Sequence, residues 1–242
     1  MIDLKLKDAG KQYVVEGNIT DQPGPYTVTI SQTGAFTSST SFEGVAGAQV
    51  IIWDNAGDSE TLQEVQPGIY ESEHLTGQTG RTYSLRIAVD NKVFTASSTM
   101  PYKVPFDSLA IREEPNENKT VLAAIPFFTD PKGQGNYYRF NQYINGQLDK
   151  TLYELSDDFT DGQANTWPLL RSDPDSTLKP LDQVTVDMQC IDHPVYEYWF
   201  SMDESSTGDA SNIPSNPVTN LQGGALGYFS AHTSQTRSVV VK

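Results

Sequence analysis

The sequence predicts an all-β protein of two domains, and three observations carry that expectation. Apolar and polar residues alternate at period two in both halves, turn-forming Gly, Pro, Asn and Asp recur between the alternating runs, and charged residues make up only 19% of the 242. The first two are the signature of half-buried strands; the third disfavours long exposed helices. At this length each of two domains can bury a core of its own.

In the first half, strands are expected from Gln12 to Ile19, Tyr26 to Gln32, Ala48 to Trp53, Gly68 to Glu71, Tyr83 to Val89 and Lys92 to Ser97. Tyr83, Leu85, Ile87 and Val89 share one parity and are assigned to a core face, with Ser84, Arg86 and Ala88 on the other. Asp90-Asn91 tolerates positive φ and predicts a two-residue hairpin turn; Pro23-Gly24-Pro25 and Pro67-Gly68 mark two more turns.

Pro101, Pro105 and Asp107-Ser108 then interrupt the pattern, placing a domain boundary near residue 102 (domains 1–102 and 103–242). The charged, Asn- and Pro-containing stretch from Glu113 to Lys119 fits either a stiff linker or a strand along a sheet edge. Strands follow from Val121 to Phe128, Asn136 to Ile144, Gln183 to Ile191 and Leu226 to His232, with Asn145-Gly146 as a hairpin turn. Val184, Val186, Met188 and Cys190 share a parity, which makes Cys190 a small buried hydrophobe. One helix is expected near 194–204: Asp192 caps, Pro194 sits in the first turn, and Val195, Tyr198, Trp199 and Met202 recur at helical spacing. Asp203 to Asn216 reads as a polar loop. Gly223-Gly224-Ala225-Leu226-Gly227 reads as a bulge or close backbone approach at the start of the last strand.

Sixteen basic against thirty-one acidic residues give a net charge of −15, which repels a polyphosphate and excludes nucleic acid as an expected partner. A lone cysteine excludes an intramolecular disulfide and a Cys-based zinc site. His74, His193 and His232 stand apart from one another, and neither a nucleophile elbow nor a phosphate-cradling Gly-rich loop occurs, so no catalytic residue and no cofactor is assigned. Carboxylate pairs suited to glycoside hydrolysis have no local motif among the many acids, which leaves a glycan-active enzyme as a minor alternative. Asp157, Asp158 and Asp161 before Gly162 are the best oxygen cluster for a hard cation, with Asp173 and Asp175 a second group. Solvated Asx turns explain both equally well in chemistry and more simply. Trp167, and Tyr137, Tyr138 and Tyr143 on the strand after Gly135, offer flat faces for a sugar or peptide; Trp167 alternatively plugs a domain edge, and Tyr138 shares parity with Phe140 and Ile144 and points inward. The start, Met1-Ile2-Asp3-Leu4, lacks a charged segment followed by an apolar one, as expected if an export signal has been removed or if the protein begins in the cytoplasm.

Two resemblances rest on quoted residues. From Val45 to Ser98, Gly47-Ala48-Gln49-Val50-Ile51-Ile52, Gly68-Ile69-Tyr70 and Gly80-Arg81-Thr82-Tyr83-Ser84-Leu85 resemble the transthyretin-like or carboxypeptidase-regulatory-like immunoglobulin sandwiches. This implies an immunoglobulin-like sandwich for the N-terminal domain, followed by a β-rich sandwich or barrel-like domain. The whole chain resembles a Bacteroidetes family of surface lipoproteins known as domain of unknown function 4249. Matching pieces are Ile2-Asp3-Leu4 with Tyr13-Val14-Val15-Glu16-Gly17, Asp157-Asp158-Phe159-Thr160-Asp161-Gly162, Tyr196-Glu197-Tyr198-Trp199, and Asn216-Pro217 through Asn220-Leu221 to Gly223-Gly224-Ala225-Leu226-Gly227-Tyr228-Phe229. The resemblance implies an N-terminal lipid anchor at the outer membrane and service to a TonB-dependent transporter in binding a glycan or peptide. It implies no catalytic residues. A structural or adhesive module binding protein or matrix is the alternative from a different class.

Overall fold

A computed structural model describes residues 11–34, 42–116, 119–173, 177–206 and 216–242. In chain order the first half holds β1 (Tyr13–Thr20), β2 (Thr27–Gln32), β3 (Glu43–Gly44), β4 (Gln49–Asp54), β5 (Ser59–Thr61), β6 (Gln63–Gln66), β7 (Ile69–Glu71), β8 (Thr82–Val89) and β9 (Lys92–Thr99). The second holds β10 (Ser108–Asn116), β11 (Lys119–Phe127), β12 (Tyr137–Ile144), β13 (Gln147–Leu148), β14 (Glu154–Ser156), β15 (Gln183–Ile191), α1 (His193–Ser206), β16 (Leu226–His232) and β17 (Gln235–Val240). Among the described residues the protein is all-β with one helix, as the alternation and the capped helical spacing predict.

The first sandwich faces a sheet ordered β16-β1-β2-β7-β6, with β3 on β2, against a sheet ordered β5-β4-β8-β9. Its core takes alternate residues from both: Val15, Ile19, Val28 and Ile30 on one side, Val50, Ile52 and the expected Tyr83, Leu85, Ile87 and Val89 on the other. The second sandwich sets the β10–β11 hairpin against a sheet ordered β13-β12-β15-β17, with β14 on β12. Its core holds Phe128, Tyr138, Phe140, Val184, Val186, Met188 and Cys190. Burial raises the Cys190 thiol pKa, keeping it protonated and inert.

Both predicted hairpin turns have the required backbone: φ is 48° and 59° at Asp90 and Asn91, and 52° and 80° at Asn145 and Gly146. The ambiguous stretch after residue 108 is strand: β10 pairs along its length with β11, and Pro115 sits where a missing N–H is tolerated, on an edge. β17, which alternation alone does not reveal because its residues are largely exposed, forms the other edge of the second sheet.

A division at residue 102 does not describe which residues build the first core. β16 returns from the far end of the chain and pairs in parallel with β1, from Val14 opposite Leu226 to Thr20 opposite His232. Just before it, Gln222 exchanges backbone hydrogen bonds of 2.7 and 3.3 Å with Thr95 of β9. Residues 222–232 thus join both sheets of the first sandwich, and Leu221, Ala225, Phe229 and Ala231 complete its core. The cause is the outer edge of β1, whose N–H and C=O groups need partners once buried. The close approach expected of the glycines is real: φ is 96° at Gly227, and a Cβ there would lie 1.9 Å from the Val15 carbonyl oxygen.

The other face of β16 (Tyr228, Ser230, His232) is buried against the second half. Polar contacts tie the halves together along this seam. Asp21 pairs with Lys103 and accepts the Ser234 N–H at 2.9 Å, while Ser234 Oγ donates to Asp187 Oδ1 at 2.6 Å.

Gly227→Ala is expected to destabilise the protein by about 2–4 kcal/mol, since a backbone clash adds to the cost of positive φ. Gly224→Ala, at φ 86° but facing open space, should cost only about 1 kcal/mol. Urea denaturation of both variants checks this; equal losses would contradict the packing argument.

Candidate functional site

β12 starts at Tyr137, opposite both Ser156 at the end of β14 and Ile191 at the end of β15. The loops before β12 and after β14, and helix α1 after β15, therefore gather at one end of the second sheet. The sequence-predicted acidic loop, the helix and one row of aromatic rings all meet there.

Asp157 and Asp161 come together with Asp130, which local sequence could not associate with them; one oxygen from each lies within 4.8 Å of the others. Each carboxylate is engaged by donors from the two loops. Asp130 accepts from Tyr138 Oη and from Gly162 N–H at 3.0 Å. Asp157 accepts from Gly135 N–H at 3.0 Å and Asn136 Nδ2 at 3.2 Å, and Asp161 from Gly133 N–H at 2.7 Å. These bonds clasp loop to loop. Asp158 is not part of the cluster; it accepts from Ser156 Oγ at 2.7 Å and faces outward, followed by Phe159, which is 95% exposed. Asp173 lies elsewhere in the chain, and Asp175 is outside the described residues.

Helix α1 begins as its sequence requires: Asp192 Oδ1 accepts the Val195 N–H at 3.3 Å, the N-cap geometry, while its Oδ2 accepts the Thr99 N–H at 2.8 Å and ties the helix to β9. Residues 203–206 continue the helix rather than opening the expected polar loop, of which 207–215 lie outside the described residues. Val195 and Tyr198 are buried; Tyr198 and Trp199 both meet the Tyr228 ring at 5.0 Å, fixing the helix against β16.

The opposite side of the helix carries a row of stacked rings. Tyr137 lies 4.9 Å from Tyr196 at 30°, and Tyr196 lies 5.7 Å from Phe200 at 24°. His193 meets Tyr137 at 5.0 Å. Phe200, at the outer end, is 43% exposed. The sequence offers Tyr137 as a flat face for a sugar or peptide, and the structure makes it the inner end of this row; Tyr196 and Phe200 carry no binding role in the sequence reading. Their i, i+4 spacing on the polar face was the available signal. The row sits in a negative field: burial, then Asp158 and Asp157, raise the Tyr137 phenol pKa, and burial, then Glu154 and Asp158 opposing the Ser156 hydrogen bond, raise that of Tyr196.

Beneath the helix, the Arg139 guanidinium lies 3.6 Å from the Trp199 ring centroid and donates to Gln189 Oε1 at 3.4 Å. Glu154 stands directly across from Arg139 in the β12–β14 register, and its Oε2 is buried without a hydrogen-bond partner. Burial raises the Glu154 pKa to about 7, with Asp203 adding to the shift and Arg139 opposing it.

Trp167 is 44% exposed on a segment laid along β11 through bridges Thr129–Ala164 and Ala124–Leu169, and it does not join the aromatic row. A groove of about 350 Å³ in the first sandwich is lined by Asp58, Glu60 and His74. Its Glu60 carboxylate is held by the backbone N–H groups of Glu73, His74 and Leu75 at 2.5–3.2 Å. A second groove of about 360 Å³ is lined by the Asp149–Arg171 ion pair, at 3.1 Å, with Leu148 and Lys150.

Compared with known proteins, the chain matches the family described as Domain of unknown function (DUF4249) over residues 1–238, and it belongs to that family. No curated protein and no solved structure matches it.

Because Glu154 binds its proton more tightly when folded, its contribution to stability is complete below the ordinary carboxylate value of 4.5 and is lost as pH rises towards about 7. Glu154→Gln should remove that slope. Urea denaturation at several pH values is expected to show the variant equal to the parent near pH 4.5 and more stable near pH 8; parallel curves would contradict the shift.

Proposed function

We propose that this member of the DUF4249 family is a non-catalytic, lipid-anchored protein of the outer membrane that captures a glycan or peptide for a TonB-dependent transporter. The observation that supports capture is the row of Tyr137, Tyr196 and Phe200, three rings stacked at 4.9 and 5.7 Å and held from below by α1, β12 and β14. Phe200, held at the exposed end of this stack, offers a ring face for a ligand at little further entropic cost, as preorganised binding surfaces require. The surface setting is supported by the full-length resemblance to surface lipoproteins of Bacteroidetes. A net charge of −15 on a chain of this size suits a solvated, exposed protein.

Fractionation of cells making the lipoprotein should place it in the outer membrane, and affinity purification should bring down a β-barrel transporter; a purely cytoplasmic location would end this reading. Ligands found on glycan and peptide arrays should lose about two- to tenfold in affinity on Phe200→Ala, the size of an aromatic contact.

A further inference from the structure

We propose that the aromatic row selects a cationic peptide, seating an arginine or lysine side chain on the face of Phe200 turned away from Tyr196, with Asp158 and Glu197 as its rim. This rests on the row being a capture surface and goes further by naming what it captures.

Charge complementarity carries the argument. The charged groups acting on the two phenols of the row are Asp157 and Asp158 from the loop after β14 and Glu197 from α1 itself, joined by Glu154 of β14 once pH rises above about 7, and all are carboxylates. The nearest basic group of the helix, His193, lies 3.8 Å from Glu197, and both remain about half exposed. Arg139 is on the other side of the helix, occupied by Trp199. Ring faces carry negative electrostatic potential, so the outer face of Phe200, at the exposed end of the stack, and the carboxylates attract the same ligand. A neutral glycan gains from the rings alone; an acidic peptide is repelled by the rim and by the net charge of −15.

The same helix already shows the pairing within the protein. On its inner side the Arg139 guanidinium lies 3.6 Å from the Trp199 ring centroid with a glutamate across from it in the sheet. On its outer side equivalent parts, stacked rings and carboxylates, are present, and Phe200 is 43% exposed.

The test is calorimetric titration of the protein with a capped hexapeptide containing two arginines and with the same peptide carrying citrulline, which is isosteric and neutral. The arginine peptide should bind about tenfold more tightly than the citrulline peptide. Its affinity should fall about two- to fivefold on Phe200→Leu, which keeps apolar volume but removes the ring. The double variant Asp158→Asn, Glu197→Gln should lose about tenfold, and raising salt from about 50 to about 500 mM should weaken binding to the parent. Circular dichroism and thermal midpoints confirm that the variants fold. Equal binding of both peptides, or a neutral glycan bound with Phe200 dependence while the arginine peptide is not, overturns the cationic class and leaves the row as a capture surface. Arginine-peptide binding that ignores both variants reflects net charge alone and overturns the proposal. Loss of every Phe200-dependent interaction overturns the capture reading as well. Concentration-dependent self-association abolished by Phe200→Leu assigns the row to a second copy instead, and likewise overturns it.

Discussion

The parallel pairing of β16 with β1 is the constraint on which the rest of this structure depends. It joins residues more than two hundred positions apart along seven consecutive register pairs. A parallel partner cannot come from a hairpin; it needs a crossover, and here the crossover runs through β2–β9 of the first sandwich and then β10–β15 and α1 of the second. The second half is thereby tied to the first at three crossings: the segment leaving β9, the segment entering β16, and the turn from β16 into β17, which pairs with β15. The seam of Asp21, Lys103, Asp187 and Ser234 is a consequence of that closure, since groups beside these crossings are brought together and must find partners once desolvated.

The same pairing decides where α1 lies. β16 presents Phe229 and Ala231 to the first core, so Tyr228, Ser230 and His232 necessarily face the other way. Tyr228 becomes the surface on which Tyr198 and Trp199 rest. With that side of the helix committed, Tyr196 and Phe200 are left to stack on Tyr137 along the outside. The exposed row follows from how β16 is oriented, three packing steps away.

Polarity beneath the helix has an energetic cost that shows in its titrations. Burial holds the His232 pKa down to about 4, with nearby Arg139 adding to the effect, and pushes Glu154 up to about 7. An arginine, a neutral histidine and a carboxyl with one unpartnered oxygen occupy space that an apolar core would fill at lower cost. Arg139 offsets part of this by stacking on Trp199 and hydrogen bonding to Gln189.

Local signals in the sequence determined the all-β class, most strand positions, both positive-φ hairpin turns, the capped helix and the inward faces of β8, β12 and β15. Alternation, turn chemistry and capping act over a few residues and are written in adjacent positions. The acidic loop and the glycine-led close approach were legible for the same reason. Tertiary structure alone decided that β16 belongs to the first sandwich, that Asp130 joins Asp157 and Asp161 while Asp158 does not, and that Tyr137 stacks on Tyr196. Each of those outcomes depends on backbone groups or rings brought together from distant positions. No local preference encodes such a pairing; it is set only when the buried faces and edges of the whole chain are satisfied at once.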